Sequence, residues 1–294
     1  MSYNPKRRNY RMSKEKYAKF KTDEKNYDYG LIDKRTDEIV SNPGKFFEFL
    51  DFQARMDRYT VANAMLIMSR CPQASQLKEE EDWNKLNISV SKGAEKIHIL
   101  EPVKYFDSNG KAQMSTNVKY VYDVSQTNAL PKPEKESKHD VKSLVTALLN
   151  TAKIEAQAVD ELPIDNSAAF YDNENNVLLL KRNGGDGTKL FQDISRELSL
   201  SEIAYNSDEY KRADCEFSAG CSAYMLCKKY GIDTKGLHID SVPKEWAEKE
   251  KKDVRLNLTM ARDSVNTISS RIYSELNREK DTRSKDTRNR EQDR

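Results

Sequence analysis

Hydrophobic residues recur at helical spacing early in the chain and in extended runs further on. The helical spacing predicts two helices, whose apolar positions are Phe46, Phe47, Phe49, Leu50 and Phe52, then Val61, Ala64, Met65, Leu66 and Met68. The second helix should end at Cys71-Pro72, because proline cannot extend a helix. Extended runs follow at 96–100 and 118–124. The turn sequence 107–110 lies between them, which predicts a β-hairpin with a long loop.

Beyond residue 140, helical and strand-like patterns are interleaved. A helical pattern begins at Val141, and short strands are predicted at 154–159, 168–172 and 177–181. Three longer helices should follow: one after the glycine-rich turn at 183–187, one over 214–229 that Tyr230-Gly231 closes, and one from near Pro243 to about Leu276. The pattern as a whole predicts an α+β fold, with a mostly helical second part.

A Pro- and charge-rich stretch at 128–140 separates these two parts. It contains two prolines and lacks hydrophobic periodicity, which is typical of a linker. We therefore divide the chain into a basic arm, a first domain, a linker, a second domain and a charged tail. The corresponding ranges are 1–25, 26–128, 129–140, 141–277 and 278–294.

Composition adds that part of the chain is highly solvated. Charged residues make up 33% of the sequence, against about 25% in a typical globular domain. Residues 1–21 carry eight basic residues against Glu15 alone, so this block could neutralise phosphates or serve as a disordered, solubilising arm. Residues 278–294 mix both charge signs and contain no apolar side chain, which predicts a disordered tail.

Several classes of protein are excluded or disfavoured by the sequence. No run approaches the roughly 18 uncharged apolar residues of a membrane-spanning helix. The basic N-terminus lacks an apolar segment, so no secretory signal is expected. The cysteines are few, which disfavours a disulfide scaffold and favours a reducing cytoplasm.

Six short motifs occur in a fixed order over about residues 40–130. They are Asn63-Ala-Met-Leu-Ile67, Cys71-Pro72-Gln73-Ala74, Trp83, Val90-Ser-Lys-Gly-Ala-Glu-Lys-Ile97, Leu100-Glu101-Pro102 and Val121-Tyr-Asp-Val-Ser-Gln-Thr127. This series resembles the N-terminal domain of ArdC-type antirestriction proteins and of the related LtrC-like proteins of conjugative elements. The resemblance implies a domain that binds single-stranded DNA.

The residues of this segment are compatible with that activity, because single-strand binders combine cationic groups with aromatic faces on which bases stack. Trp83 fits a core position slightly better than a stacking position, and the tyrosines fit either. Strand alternation places Lys119 on one face of the run 118–124 and Tyr120 and Tyr122 on the other. The candidate DNA-binding residues are Arg55, Arg58, Tyr59, Asn63, Arg70, Trp83, Lys85, Lys92, Lys96, Lys104, Lys119, Tyr120 and Tyr122.

The second segment resembles the zincin-like metallopeptidase domain of the same proteins, in which His-Glu-x-x-His on a helix binds zinc. Aligning Glu197 with the family's glutamate places Arg196 and Leu200 at the two histidine positions. A register shifted back by four residues places Gln192 and Arg196 at the histidine positions and Asp193 at the glutamate position instead, and the first register is preferred. In the next helix Gly220 replaces the third ligand, a carboxylate.

The histidines, His98, His139 and His238, lie on neither helix. The resemblance therefore implies a peptidase scaffold without metal, cofactor or catalytic residues, in which Glu197 is at most a vestige. Cys215, Cys221 and Cys227 are spaced too widely for a thiolate knuckle, and no phosphate-binding loop or Gly-x-Ser-x-Gly motif is present.

These observations predict a cytoplasmic, non-enzymatic, single-stranded-DNA-binding accessory protein of a bacterial mobile element. It would shield incoming DNA, and its second domain would contact a protein partner rather than a membrane. The alternative is an active zinc metallopeptidase with unrecognised ligands. A purely structural partner protein without DNA affinity is a third interpretation.

Overall fold

A computed structural model describes residues 13–106, 110–129, 139–237, 239 and 241–292. Helices dominate the fold and two small separate sheets complete it, so the α+β prediction is confirmed. Residues 1–12 of the basic arm, residues 107–109 of the turn predicted over 107–110, most of the linker and His238 lie outside the described residues. Within them, no helix is both long and apolar enough to cross a bilayer.

The first half consists of four helices and three strands. They are α1 (Lys14–Ser41), α2 (Pro43–Arg55), α3 (Val61–Arg70), β1 (Leu77–Lys78), α4 (Glu80–Lys85), β2 (Ile97–Phe106) and β3 (Ala112–Asp123). Helices α2 and α3 are the two that the hydrophobic spacing predicts. Their N-termini are capped by Asn42 and Thr60, whose side chains accept hydrogen bonds from backbone N–H groups of the first turn.

Helix α1 runs through the boundary expected at residue 25. Ser13 caps its N-terminus by accepting a hydrogen bond from the backbone N–H of Lys16. Only Asp28, Ile32, Thr36 and Ile39 are buried along its length. A helix with so narrow a buried stripe gives little periodic signal, which is why the sequence predicts an arm over residues 14–25 where the structure has a helix.

Strands β1, β2 and β3 form an antiparallel sheet in the order β1-β3-β2. The β2–β3 pair is the predicted hairpin, with Ile97 opposite Val121 at one end and Phe106 opposite Ala112 at the other. Strand β1 covers only the last residues of β3, since it pairs with Asp123 and Tyr122. The far part of the hairpin therefore projects beyond the three-stranded region.

The second half contains a smaller sheet beside a group of helices. Its elements are α5 (Val141–Asn150), β4 (Glu155–Val159), β5 (Ala169–Asp172), β6 (Val177–Lys181), α6 (Gly187–Tyr205), α7 (Arg212–Tyr230), α8 (Lys244–Glu248) and α9 (Lys251–Gln292). The three strands predicted from the sequence are confirmed. They form the order β4-β6-β5, with β4 parallel and β5 antiparallel to β6. Helix α7 ends at Gly231, whose φ of 68° suits glycine.

The hydrophobic core is shared by residues from both sides of the expected linker. Phe46 of α2 stacks on Phe217 of α7 with ring centroids 5.7 Å apart. The Tyr224 hydroxyl donates a hydrogen bond to Asp51 over 2.8 Å, and Lys229 forms a 2.9 Å salt bridge with Asp57. The linker therefore separates two stretches of sequence but not two hydrophobic cores, because the apolar faces of α2 and α3 are buried against α7 and α9.

Helix α9 continues to Gln292, through residues that the sequence predicts to be a disordered tail. Its last buried apolar side chain is Leu276. The backbone hydrogen bonds of a helix are internal, and residues 278–292 contain neither proline nor glycine, so no helix-breaking residue ends α9 earlier.

Candidate nucleic-acid interface and peptidase-like site

One face of the β2–β3 hairpin carries a lysine beside an aromatic ring at each of its two ends, with His98, Leu100 and Pro102 between them along β2. Strand geometry places Lys104 and Phe106 of β2 on this face, and the Lys104 ammonium lies 5.9 Å from the centre of the Phe106 ring. Nearer the base of the hairpin, Lys96 lies 4.3 Å from the centre of the Tyr120 ring. Lys96 and Lys104 are eight residues apart, which corresponds to roughly 26 Å along a strand. We call this surface the basic hairpin face.

Phe106 at the outer end of the basic hairpin face is 68% exposed, and neighbouring Met114 is 67% exposed. Met114 lies opposite Lys104 in the hairpin, so two large apolar side chains are exposed towards the outer end of this face. Phe106 is absent from the residues singled out in the sequence. The signal that could have identified it is its place two residues after Lys104, at the end of β2, whose other edge pairs with no strand among the described residues.

Tyr120 cannot stack on a base in this arrangement. Lys21 of α1 and Lys96 lie 4.7 Å and 4.3 Å from its ring centre. Its hydroxyl donates to Glu24 over 2.8 Å and accepts from Lys21 over 3.0 Å. Burial raises the pKa of Tyr120, and the bond to Glu24 adds to this effect. Tyr120 thus holds two lysines in place rather than offering a free ring.

Helix α1 crosses the base of the basic hairpin face through polar contacts. His98 lies between the carboxylates of Asp28, at 2.9 Å, and Glu24, at 3.6 Å. Burial alone would raise the pKa of Glu24, but the hydrogen bonds from Lys21 and Tyr120 outweigh burial and lower it. The Nζ atoms of Lys21 and Lys25 donate weakly to the carbonyls of Val118 and Thr116 at 3.4 Å. Helix α1 therefore adds two lysines beside the hairpin.

The predicted cationic residues differ in whether a carboxylate neutralises them. Lys119 is paired with Glu79 at 2.8 Å and with Glu101 at 3.3 Å, and Lys85 is paired with Asp82. Within the described part of the chain, no carboxylate lies within ion-pair distance of Lys92, Lys96 or Lys104, and all three side chains are exposed. Those three lysines are available to phosphates. Lys92 sits in a turn that Gly93, with a φ of 84°, completes.

Three of the predicted DNA-binding residues are buried in the fold and are not available to DNA. Trp83 is 1% exposed, and its indole N–H donates to the carbonyl of Tyr122, so the core position is the one it occupies. Tyr122 is itself buried. Asn63 accepts from the backbone N–H of Leu100 over 2.7 Å and donates to the carbonyl of the same residue over 3.0 Å. Its side chain thus closes the outer edge of β2 and does not reach solvent.

The remaining predicted residues lie apart from the basic hairpin face. Arg55 donates to the carbonyl of Pro72, and Arg70 lies over the ring of Tyr27 at 5.7 Å. Arg58 is exposed and Tyr59 is half-buried, and the carbonyls of both accept hydrogen bonds from Arg262 of α9. Arg55 and Arg70 belong to α2 and α3, and Arg58 and Tyr59 lie between these helices, so none of the four is part of the hairpin.

Glu197, the vestigial candidate, is a buried structural carboxylate. Arg212 donates to both of its oxygens, at 2.8 and 2.9 Å, and the backbone N–H of Tyr171 donates at 2.7 Å. Burial raises the pKa of Glu197, and the salt bridge with Arg212 opposes that shift. These partners fill the hydrogen-bonding directions of the carboxylate and hold β5 against α6 and α7.

The three positions aligned with zinc ligands do not converge. Arg196 reaches towards Glu216 at 4.0 Å, and Leu200 is buried in an apolar cluster with Tyr171, Cys215 and Ala219. Gly220 faces Ile239, whose side chain would lie 3.3 Å from an added Cβ. An arginine, a leucine and a glycine supply no metal ligand, so these residues do not fit zinc.

The packing of α6 and α7 favours the second of the two registers. Residues 206–211 join these helices as a short loop, which makes them antiparallel neighbours. Arg196 on α6 lies beside Glu216 on α7. Because the helices run in opposite directions, Gly220, one turn after Glu216, lies beside Gln192, one turn before Arg196. Gln192 is also no ligand here, because its amide donates to the carbonyls of Asp233 and Lys235. Within the described residues no cluster of His, Cys, Asp and Glu could hold a metal ion.

No family model matches the chain, and no curated protein matches it. The solved structures that it resembles include two crystal structures of the antirestriction protein ArdC from plasmid R388. The metal-free one aligns with a TM-score of 0.47 and 14% identity over 72% of this chain and 85% of that one. The Mn(II)-bound one aligns with a TM-score of 0.48 and 12% identity over 72% and 84%.

Proposed function

We propose that this protein binds single-stranded DNA along the basic hairpin face and acts as a cytoplasmic antirestriction accessory protein of a mobile element. The observation that carries the proposal is the combination, on one projecting hairpin, of the exposed ring of Phe106 with Lys96 and Lys104, which no carboxylate of the described residues neutralises. Such lysines can neutralise phosphates, and an exposed ring can stack on any base. This binding mode depends little on sequence.

The test is fluorescence anisotropy with a labelled single strand of about 20 nucleotides and with the corresponding duplex. We expect tighter binding to the single strand and an affinity that falls as salt rises. Lys96→Glu combined with Lys104→Glu should lower the dependence of log affinity on log salt by roughly 1.4, since each single-strand phosphate contact contributes roughly 0.7. Phe106→Ala should weaken binding at least about fivefold through lost stacking.

A matched control reverses two exposed lysines at the ends of α8, Lys244→Glu with Lys249→Glu, and should leave the affinity within about twofold. Equal loss in the control and the hairpin variants would mean that binding is unspecific attraction to net charge. Equal or stronger binding to the duplex would contradict the proposal. Transfer of a plasmid into a restricting host, with and without this protein, then tests the antirestriction role.

For the second half we propose that the peptidase-like scaffold is retained without its chemistry and serves in protein interaction. Arg196, Leu200, Gly220 and Gln192 support this view, because none of them binds zinc in the surroundings described. Purified protein should therefore contain well under one zinc per chain by mass spectrometry of metals. Stoichiometric zinc with chelator-sensitive cleavage of peptides would instead establish the alternative, an active metallopeptidase.

A further inference from the structure

The two edges of the second sheet, β5 and β4, differ in how their outward main-chain groups are occupied. Ala168, just before β5, faces β6, because its carbonyl accepts a hydrogen bond from the N–H of Lys181. Main-chain direction alternates along a strand, so the N–H and carbonyl groups of Ala169 and Tyr171 point away from β6. Tyr171 is bonded through its N–H to Glu197 and through its carbonyl to Arg212. The Ser167 hydroxyl donates a hydrogen bond to the carbonyl of Ala169 and accepts one from its N–H. This edge is fully capped by side chains.

Strand β4 is open at its outer edge. The carbonyl of Val159 accepts a hydrogen bond from the N–H of Arg182, which follows β6. The main-chain groups of Val159, and of every second residue before it, therefore point towards β6. The main-chain N–H and carbonyl groups of Ala156 and Ala158 point outward. Residues 155–158 are all exposed, and β6 is the only strand paired with β4 in the part of the chain that the structure describes. Proteins usually protect such an edge with proline, lysine or a bulge, and β4 contains none of these.

The sequence around β4 is complementary to itself in an antiparallel register centred on Gln157. In that register Ala156 of one copy faces Ala158 of the other, and the outward N–H and carbonyl groups of both can exchange hydrogen bonds. Glu155 faces Val159. Beyond the ends of β4, Lys153, whose ammonium also lies 3.6 Å from Glu202 of its own chain, faces Glu161, so opposite charges meet at both ends of the pair and no like charges are directly opposed.

We propose that β4 pairs with β4 of a second copy of this chain, so that two three-stranded sheets join into one sheet of six strands around a two-fold axis. The observation behind this is the contrast between the capped β5 edge and the open, self-complementary β4 edge. Two five-residue strands bury far less than the roughly 1,200–2,000 Å² of a standard interface. The dimer should therefore be weak, with a dissociation constant of roughly 0.1 mM. It does not depend on DNA binding.

The test is sedimentation velocity of the full chain over about two decades of concentration centred on roughly 0.1 mM. Ala158→Pro removes an outward N–H and leaves the bonds to β6 in place, as edge strands tolerate. It should raise the dimer dissociation constant at least about tenfold. Ala158→Ser, which keeps the N–H, is the matched control and should change it less than about twofold. Circular dichroism and the urea midpoint verify that both variants fold.

A charge-exchange pair gives a second, independent readout. Glu161→Lys opposes two lysines at each end of the pair and should weaken the dimer, and Lys153→Glu should do the same by opposing two glutamates. Because Lys153→Glu also removes the ion pair with Glu202, its urea midpoint is measured alongside. The double variant restores opposite charges and should recover most of the affinity. A chain that stays monomeric at every concentration, or a dimer that Ala158→Pro leaves intact, overturns the proposal. A dimer without rescue in the double variant overturns the register centred on Gln157.

Discussion

At the scale of single residues, buried polar side chains decide where strands meet helices. Asp193 accepts a hydrogen bond from the backbone N–H of Ala168, and Glu197, one turn further along α6, accepts from that of Tyr171. Arg212 adds a 3.3 Å bond to the carbonyl of Tyr171. Each of these groups would be costly to bury without its partner. Asp193 and Glu197 of α6 thus hold strand β5 in place.

Glu197→Gln should destabilise the protein and leave DNA binding unchanged. The substitution leaves Arg212 without one of its two carboxylate partners in a largely buried position, which should lower the free energy of unfolding by about 2 kcal/mol. Urea denaturation measures this change. Glu174→Gln, at an exposed loop position, is the control and should stay within about 0.5 kcal/mol of the parent protein. A fully stable Glu197→Gln variant would show that the salt bridge does not contribute.

At the scale of elements, the hairpin depends on the helices beside it. Asn63 on α3 substitutes for a neighbouring strand by bonding both main-chain groups of Leu100. On the opposite side of the hairpin, β1 is only two residues long, and α1 approaches β3 through Lys21, Lys25 and Glu24. A two-stranded ribbon is marginal by itself in water, so these contacts keep the basic hairpin face in one orientation.

Asn63→Ala should therefore reduce stability rather than DNA contact. Both hydrogen bonds to Leu100 are lost at a buried position, which should cost about 2 kcal/mol. At temperatures where the variant is folded, its affinity for single-stranded DNA should remain within about twofold of the parent value. The measurements are thermal unfolding and anisotropy side by side. A large loss of affinity in a fully folded, equally stable variant would restore Asn63 to the DNA-binding residues.

At the scale of the whole molecule, one hydrophobic core integrates both halves of the sequence. Phe46 and Phe49 of α2 lie in the same cluster as Tyr224 and Met225 of α7 and as Val265 of α9. The ion pair of Asp57 with Lys229 and the bond of Asp51 to Tyr224 connect the same elements. A chain with this arrangement should unfold as one cooperative unit.

Limited proteolysis should cut within residues 130–138, and the two fragments should remain associated after cleavage. The Pro- and charge-rich composition there favours protease access, while the shared core holds the cut chain together. Size-exclusion chromatography of the digest should give one particle of the parent size. Residues 139–294 expressed alone should be insoluble or partly unfolded, because the faces of α7 and α9 that contact α2 and α3 become exposed. Two separating, stable fragments would contradict the single core.

The sequence by itself determined the elements whose information is local. Helices α2, α3, α6 and α7, the β2–β3 hairpin and the three strands of the second sheet all follow from apolar spacing and from helix-ending or turn residues. It also determined that Arg196, Leu200 and Gly220 supply no metal ligand, since ligand chemistry is a property of the residue type.

Only the tertiary structure decided which charged and polar residues are available to a partner. Lys96 and Lys119 are equivalent by composition, yet Glu79 and Glu101 neutralise Lys119 and leave Lys96 exposed. Asn63 and Trp83 are tied to backbone groups that lie 37 and 39 residues away along the chain. The sharing of one core across the linker, and the open edge of β4, depend in the same way on contacts between distant segments. Such contacts leave no periodic signal in the sequence, because they are made by shape and charge after the elements have formed.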